Sequence, residues 1–220
     1  MKNLLYALGP TFMIFIGLTY FESVPITFML FYSWLFSIPF ATYLRKTQDR
    51  LEFIQSVKNG FTMKSVIFGL VSGVICLLTI FSYVYFSQDY LFNINQLNEL
   101  LVKWHFSGSH IWILIFVLIV INPFLEEWYW REFMHKRLLI SLSGTQTVFV
   151  TSFFYSLYHL LSLVPMFAMP FSLVATIPIF LAGLLWGYFR IKFTSMVAPI
   201  ISHALADIGI ILVYLYYFIL

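Results

Sequence analysis

Residues 110–131 read HIWILIFVLIVINPFLEEWYWR, and the fold turns on how that stretch is read. Apolar side chains run from Ile111 to Ile121, Asn122-Pro123 interrupts them, and the paired carboxylates Glu126 and Glu127 follow at once. A membrane span needs roughly 20 mainly apolar residues. The run is short for one unless the helix continues past its carboxylates.

The rest of the chain has the same character. Its 220 residues are 61% hydrophobic and 10% charged, against about 25% charged in an average soluble domain. So few charges cannot cover a water-soluble globule of this size, but they suffice for helices that face lipid. Apolar runs at 4–21, 25–44, 65–87, 110–126, 146–164, 171–189 and 195–219 predict about seven spans. Gly60, Ser107-Gly108-Ser109, Ser143-Gly144 and the segment from Pro165 to Pro170 punctuate the gaps. The expected fold is an all-α polytopic bundle in one membrane domain, residues 1–220. Residues 96–106 would form a helix lying in the interface, with Leu97, Leu100, Leu101 and Trp104 on one face. The run from Leu4 to Tyr20 is long for a signal peptide and is read as a retained span.

Basic residues favour cytoplasmic loops. With Lys2 inside and seven crossings, eleven of the twelve Lys and Arg fall on the inner side, and only Lys103 lies outside. That split predicts a cytoplasmic amino terminus. The net charge of +3 carries no nucleic-acid signal. Cys76 is a lone thiol in an apolar run, so neither a disulfide within the chain nor a thiolate metal cluster is expected.

Ionisable side chains within spans cost about 2.5–3.5 kcal/mol on insertion scales, so they mark places of interest. Three groupings stand out, all in 110–219, whereas 1–109 supplies helices of no evident chemistry. Glu127 and Arg131 are four apart and predict an ion pair on one helix face, which directs Glu126 elsewhere. Tyr155 and His159 share a face one turn apart, as do His203 and Asp207. Small residues around His203 (Ala198, Ser202, Ala204, Ala206 and Gly209) would admit a close helix neighbour. One carboxylate and two imidazoles on three helices are the parts of a site that activates water, alone or through a metal. Polar glue between helices would also use such groups. A proton-coupled transporter would too, although no repeat with two-half symmetry is visible.

Glu126-Glu127-xxx-Arg131, Tyr155-xxx-His159 and His203-xxx-Asp207, in this order, resemble the fingerprint of the CPBP intramembrane proteases, also called the CAAX-protease, bacteriocin-processing or Abi family. Tyr155 stands where that family usually has Phe, and Asp207 where it often has Asn. The resemblance implies a bacterial intramembrane endopeptidase acting on a membrane-associated peptide or protein in the lipid bilayer. In it Glu126 is the general base and His159 and His203 position water or, with Glu126, bind zinc. Asp207 orients His203 or helps form the oxyanion site, while Glu127, Arg131 and Tyr155 support. The residue types fit a zinc enzyme and a metal-independent glutamate protease equally well. The same resemblance allows a non-catalytic partner or immunity protein of this fold.

One geometric demand follows. At about 1.5 Å per residue, His203 lies roughly 12 Å into its span and His159 roughly 20 Å into its own. For Glu126 to meet them, either the helix of His159 begins below the membrane surface or tilts, or the helix of Glu126 continues well past it; the second is expected, with residues 110–138 forming one long helix and Glu126 inside the bundle.

Overall fold

A computed structural model gives the fold and describes residues 2–45, 51, 54–55 and 60–219. Lys46, Arg50 and Lys58, which the charge count uses, lie outside the described residues. The described residues form helices joined by short turns, with no strand among them. The helices are α1 (Lys2–Tyr20), α2 (Val24–Arg45), α3 (Met63–Leu91), α4 (Ile94–Lys103), α5 (Ile111–Leu138), α6 (Gly144–Leu163), α7 (Phe171–Phe193) and α8 (Val197–Phe218).

Their ends follow from local chemistry. Thr62 with Ser65 and Ser143 with Gln146 form reciprocal capping boxes that start α3 and α6. Asn93 starts α4 by accepting from the amides of Asn95 and Gln96. Thr194, left-handed at φ 49°, closes α7.

Six of these helices (α1, α2, α3, α5, α7 and α8) are long and apolar enough to cross a membrane. α6 has the length, at 20 residues, but its Ser, Thr, Tyr and His side chains make it less apolar. It packs against α7 and α1. α4 buries Leu97 and Leu101 against Ile111, Leu114 and Tyr214, and Trp104 is buried just beyond its end.

The burial pattern is reversed relative to a soluble protein. Met29, Phe86, Trp112 and Ile140 are exposed, whereas Glu126, Glu127, Arg131, Glu132 and His203 are enclosed. That distribution suits a lipid solvent, in which polar groups must find partners inside the protein. The chain is an integral, multi-pass membrane protein.

The α3–α8 contact positions the site most directly. The small face of α8 meets glycines: a Cβ on Gly73 would stand 3.0 Å from Ser202 Cα, and one on Gly209 would stand 2.9 Å from Leu77 Cα. Only glycine allows so close an approach at these two positions. Ser72 Oγ donates to Ser202 Oγ across the same seam, at 3.0 Å.

Candidate active site

The helix that carries the paired carboxylates runs unbroken from Ile111 to Leu138, as the depth argument requires. It is not uniformly α-helical. Val117–Ile121 and Trp128–Met134 are π-helical. The first wide turn immediately precedes Pro123, whose ring would crowd the carbonyl four residues back in a regular α-helix. Wide turns of this kind recur at functional sites.

Glu126 is 2% exposed, Glu127 0%, Arg131 1% and His203 1%. Glu127 Oε1 lies 2.9 Å from His203 Nδ1, and Glu127 Oε2 lies 3.2 Å from Arg131 Nε. The pairing of Glu127 with Arg131 is the one their spacing predicts. The contact with His203 is not, since spacing alone offered Asp207 for that task. Arg131 also donates from Nη2 to the Gly183 carbonyl (3.2 Å) and lies over the Tyr155 ring at 4.7 Å. Facing a carboxylate, Nδ1 of His203 carries the proton of that bond, so Nε2 is the edge available for chemistry.

Around Nε2 stand the Tyr155 hydroxyl at 3.5 Å, Asp207 Oδ2 at 3.6 Å and Glu126 Oε2 at 3.8 Å. Glu126 Oε2 is buried, and the same holds for the Tyr158 hydroxyl. The indole of Trp186 covers one face of His203, with centroids 4.3 Å apart and planes 15° apart. Its Nε1 donates to Ser202 Oγ at 3.0 Å. The imidazole is therefore fixed by an edge and a face.

His159 stands one step away. Its Nδ1 meets the Tyr155 carbonyl at 2.8 Å, and because a carbonyl only accepts, Nδ1 carries the proton and Nε2 does not in the neutral ring. The ring lies between those of Tyr155 and Tyr158, at 4.5 and 4.4 Å. No hydrogen bond or ion pair joins His159 to Glu126, His203 or Asp207. Tyr155 lies between the two imidazoles: its ring lies beside His159 and its hydroxyl faces His203.

Glu126, His159 and His203 are the residues that would bind zinc if a metal were used. Among the described residues no three His, Cys, Asp or Glu side chains gather as a metal-ligand set. The donors as placed do not fit such an ion.

Sequence reasoning missed several members of this cluster. Asn122 Nδ2 donates to Asp207 Oδ2 at 3.0 Å, and Tyr32 donates to Asn122 Oδ1 at 3.1 Å. The polar Asn122 inside an apolar run was the available signal. Trp186 gave none, being one more aromatic in a run of them. Glu132 is fully buried beyond Arg131. It pairs with Arg190 at 2.7 Å and with Lys136, and Tyr43 donates to it at 3.4 Å.

The region holding these groups has a recognisable pattern. Residues 108–209 match the family described as Type II CAAX prenyl endopeptidase Rce1-like. The matched region takes in all three sequence groupings, α5 through most of α8, and the match supports a membrane protease of the CAAX class. No curated protein and no solved structure matches the chain.

Proposed function

We propose that the chain is an intramembrane endopeptidase in which Glu126 activates water against a peptide bond of a membrane-associated peptide or protein. The observation that carries this reading is the buried Oε2 of Glu126, 3.8 Å from the Nε2 edge of a rigidly held His203.

In the proposed reaction Glu126 takes a proton from water, and the hydroxide oxygen forms a bond to the scissile carbonyl carbon. The carbonyl π electrons move to oxygen. As the imidazolium, its Nδ1–H given to Glu127, His203 also carries a proton on Nε2, and that N–H and the Tyr155 hydroxyl, 3.5 Å apart, are the donors that would stabilise that oxyanion. Its collapse breaks the C–N bond, and the proton on Glu126 passes to the leaving amine. His159 Nε2, with Nδ1 held by the Tyr155 carbonyl, would accept from the attacking water and aim it. Asp207 balances charge beside Nε2. Glu127 and Arg131 hold His203 and do not touch substrate.

The family description makes a prenylated carboxyl-terminal peptide the first substrate to try. The distribution of Lys and Arg supports an amino terminus on the cytoplasmic side of the membrane.

The test uses the purified protein in liposomes with prenylated and unprenylated peptides. Glu126→Gln and His203→Ala should each lower turnover by about 10²–10⁴-fold while the protein stays folded. Full cleavage by folded Glu126→Gln would remove this reading.

A further inference from the structure

We propose that Asn122 is a positioning residue of this site: it holds the Asp207 carboxylate away from His203 Nε2 and takes its own orientation from Tyr32. The inference rests on the protease reading and adds a device for keeping the reactive edge of the imidazole free.

Asn122 follows eleven apolar residues and is 6% exposed, so its amide must be bonded or carry a desolvation cost. Both of its ends are used. A phenol has one proton to give, and Tyr32 gives it to Oδ1 at 3.1 Å. A carboxylate accepts, and Asp207 Oδ2 accepts from Nδ2 at 3.0 Å. The reversed amide would set a carbonyl against the carboxylate and two N–H groups against a phenol, so the orientation is fixed by its partners.

The oxygen bound by Asn122 is the oxygen that faces His203. Asp207 Oδ2 lies 3.6 Å from Nε2, beyond hydrogen-bond length, although His203 and Asp207 share a helix face four residues apart. Glu127 already occupies Nδ1. If Asp207 closed on Nε2 as well, carboxylates would bind both edges of the imidazole and none would remain for the reaction. The amide of Asn122 offers that carboxylate another partner. Because Asn122 is on α5, Asp207 on α8 and Tyr32 on α2, the amino-terminal helices enter the site through this chain of bonds.

The test measures cleavage of a prenylated carboxyl-terminal peptide by the full chain in liposomes, with Glu126→Gln as the inactive reference. Asn122→Asp sets two carboxylates face to face and should cut kcat at least tenfold with little change in KM. The exchange Asn122→Asp with Asp207→Asn restores one amide and one carboxylate and should recover most of that loss. Tyr32→Phe removes one hydroxyl and should lower kcat severalfold and move the pH profile of turnover. It also serves as the readout should the α5 variants not fold. Asn122→Asp or Tyr32→Phe at wild-type kcat overturns the proposal, and so does an exchange variant that is folded but no better than Asn122→Asp. If the wild type and Glu126→Gln both fail to cleave, the protease reading and this one fall together. If Glu126→Gln is dead and the wild type active, those variants judge Asn122 alone.

Discussion

Glu127 Oε1 lies 2.9 Å from His203 Nδ1, joining α5 to α8, while the other oxygen of the same carboxylate faces Arg131 Nε at 3.2 Å. One buried carboxylate thus serves a guanidinium and an imidazole together. Removing it has two separable effects. Glu127→Ala strands Arg131 in the interior, which typically costs about 3–5 kcal/mol. Glu127→Gln keeps the volume and an acceptor for Nδ1–H but drops the charge. We expect thermal unfolding in detergent to fall sharply for the alanine variant and less for glutamine. Turnover of glutamine should drop by about 10–100-fold, the usual range when a partner orienting a working histidine is lost. Full turnover by folded Glu127→Ala would refute the positioning role.

Glu132 should separate stability from chemistry. Its carboxylate binds Arg190 and Lys136, and Arg190 Nε donates to the Arg131 carbonyl at 3.0 Å, tying α7 to α5. Glu132→Ala should lose about 1–3 kcal/mol of stability, since it removes the buried acceptor that Arg190 and Lys136 share. Turnover per folded molecule should hold, because Glu132 touches none of the groups around His203 Nε2. A folded variant that is catalytically dead would show that the second ion cluster takes part in the reaction.

The α3–α8 seam makes a steric prediction. A Cβ on Gly73 would stand 2.6 Å from Leu205 Cδ1 and 3.0 Å from Ser202 Cα, one residue from His203. Gly73→Val should destabilise by about 1–3 kcal/mol through overpacking and lower turnover by shifting α8. Gly144→Ala is the control: its Cβ meets only Ile191 Cδ1, at 3.4 Å. Equal melting temperatures for the two variants would contradict the packing described.

Chelation supplies a fourth test. The three residues that would bind zinc do not gather as a set, so 1,10-phenanthroline should leave the cleavage rate unchanged. Loss of activity with recovery on adding zinc would mean that the donors rearrange to take an ion.

Much of this was legible in the chain. Eleven apolar residues running into two carboxylates required a helix longer than a simple span, and α5 continues to Leu138. The i,i+4 spacing of Glu127 and Arg131 gave their ion pair. The partner of His203 was not legible. Its spacing to Asp207 put a carboxylate on the same face, yet the Nδ1 bond comes from α5, 76 residues away in sequence. Helical spacing reports neighbours within one helix and says nothing of what a second helix presents. The same limit hid Asn122 and Tyr32, which lie 85 and 90 residues from their partners. The apolar run at 146–164 predicts a span, and α6 forms there, although its polar side chains leave it less apolar than the other six.

The π-helical stretch Trp128–Met134 separates Glu126 and Glu127 from the Lys136 end of α5. A wide turn accommodates one residue more than an α-helical one, which changes angular phase by about 100° at that point. Glu127, just before the stretch, is set against the imidazole on α8, while Glu132, within it, is set against the guanidinium on α7. Losing a single residue there would rotate one end out of register with its partner while preserving every side chain that matters. Length in this stretch is thus under tighter constraint than the identity of many residues within it.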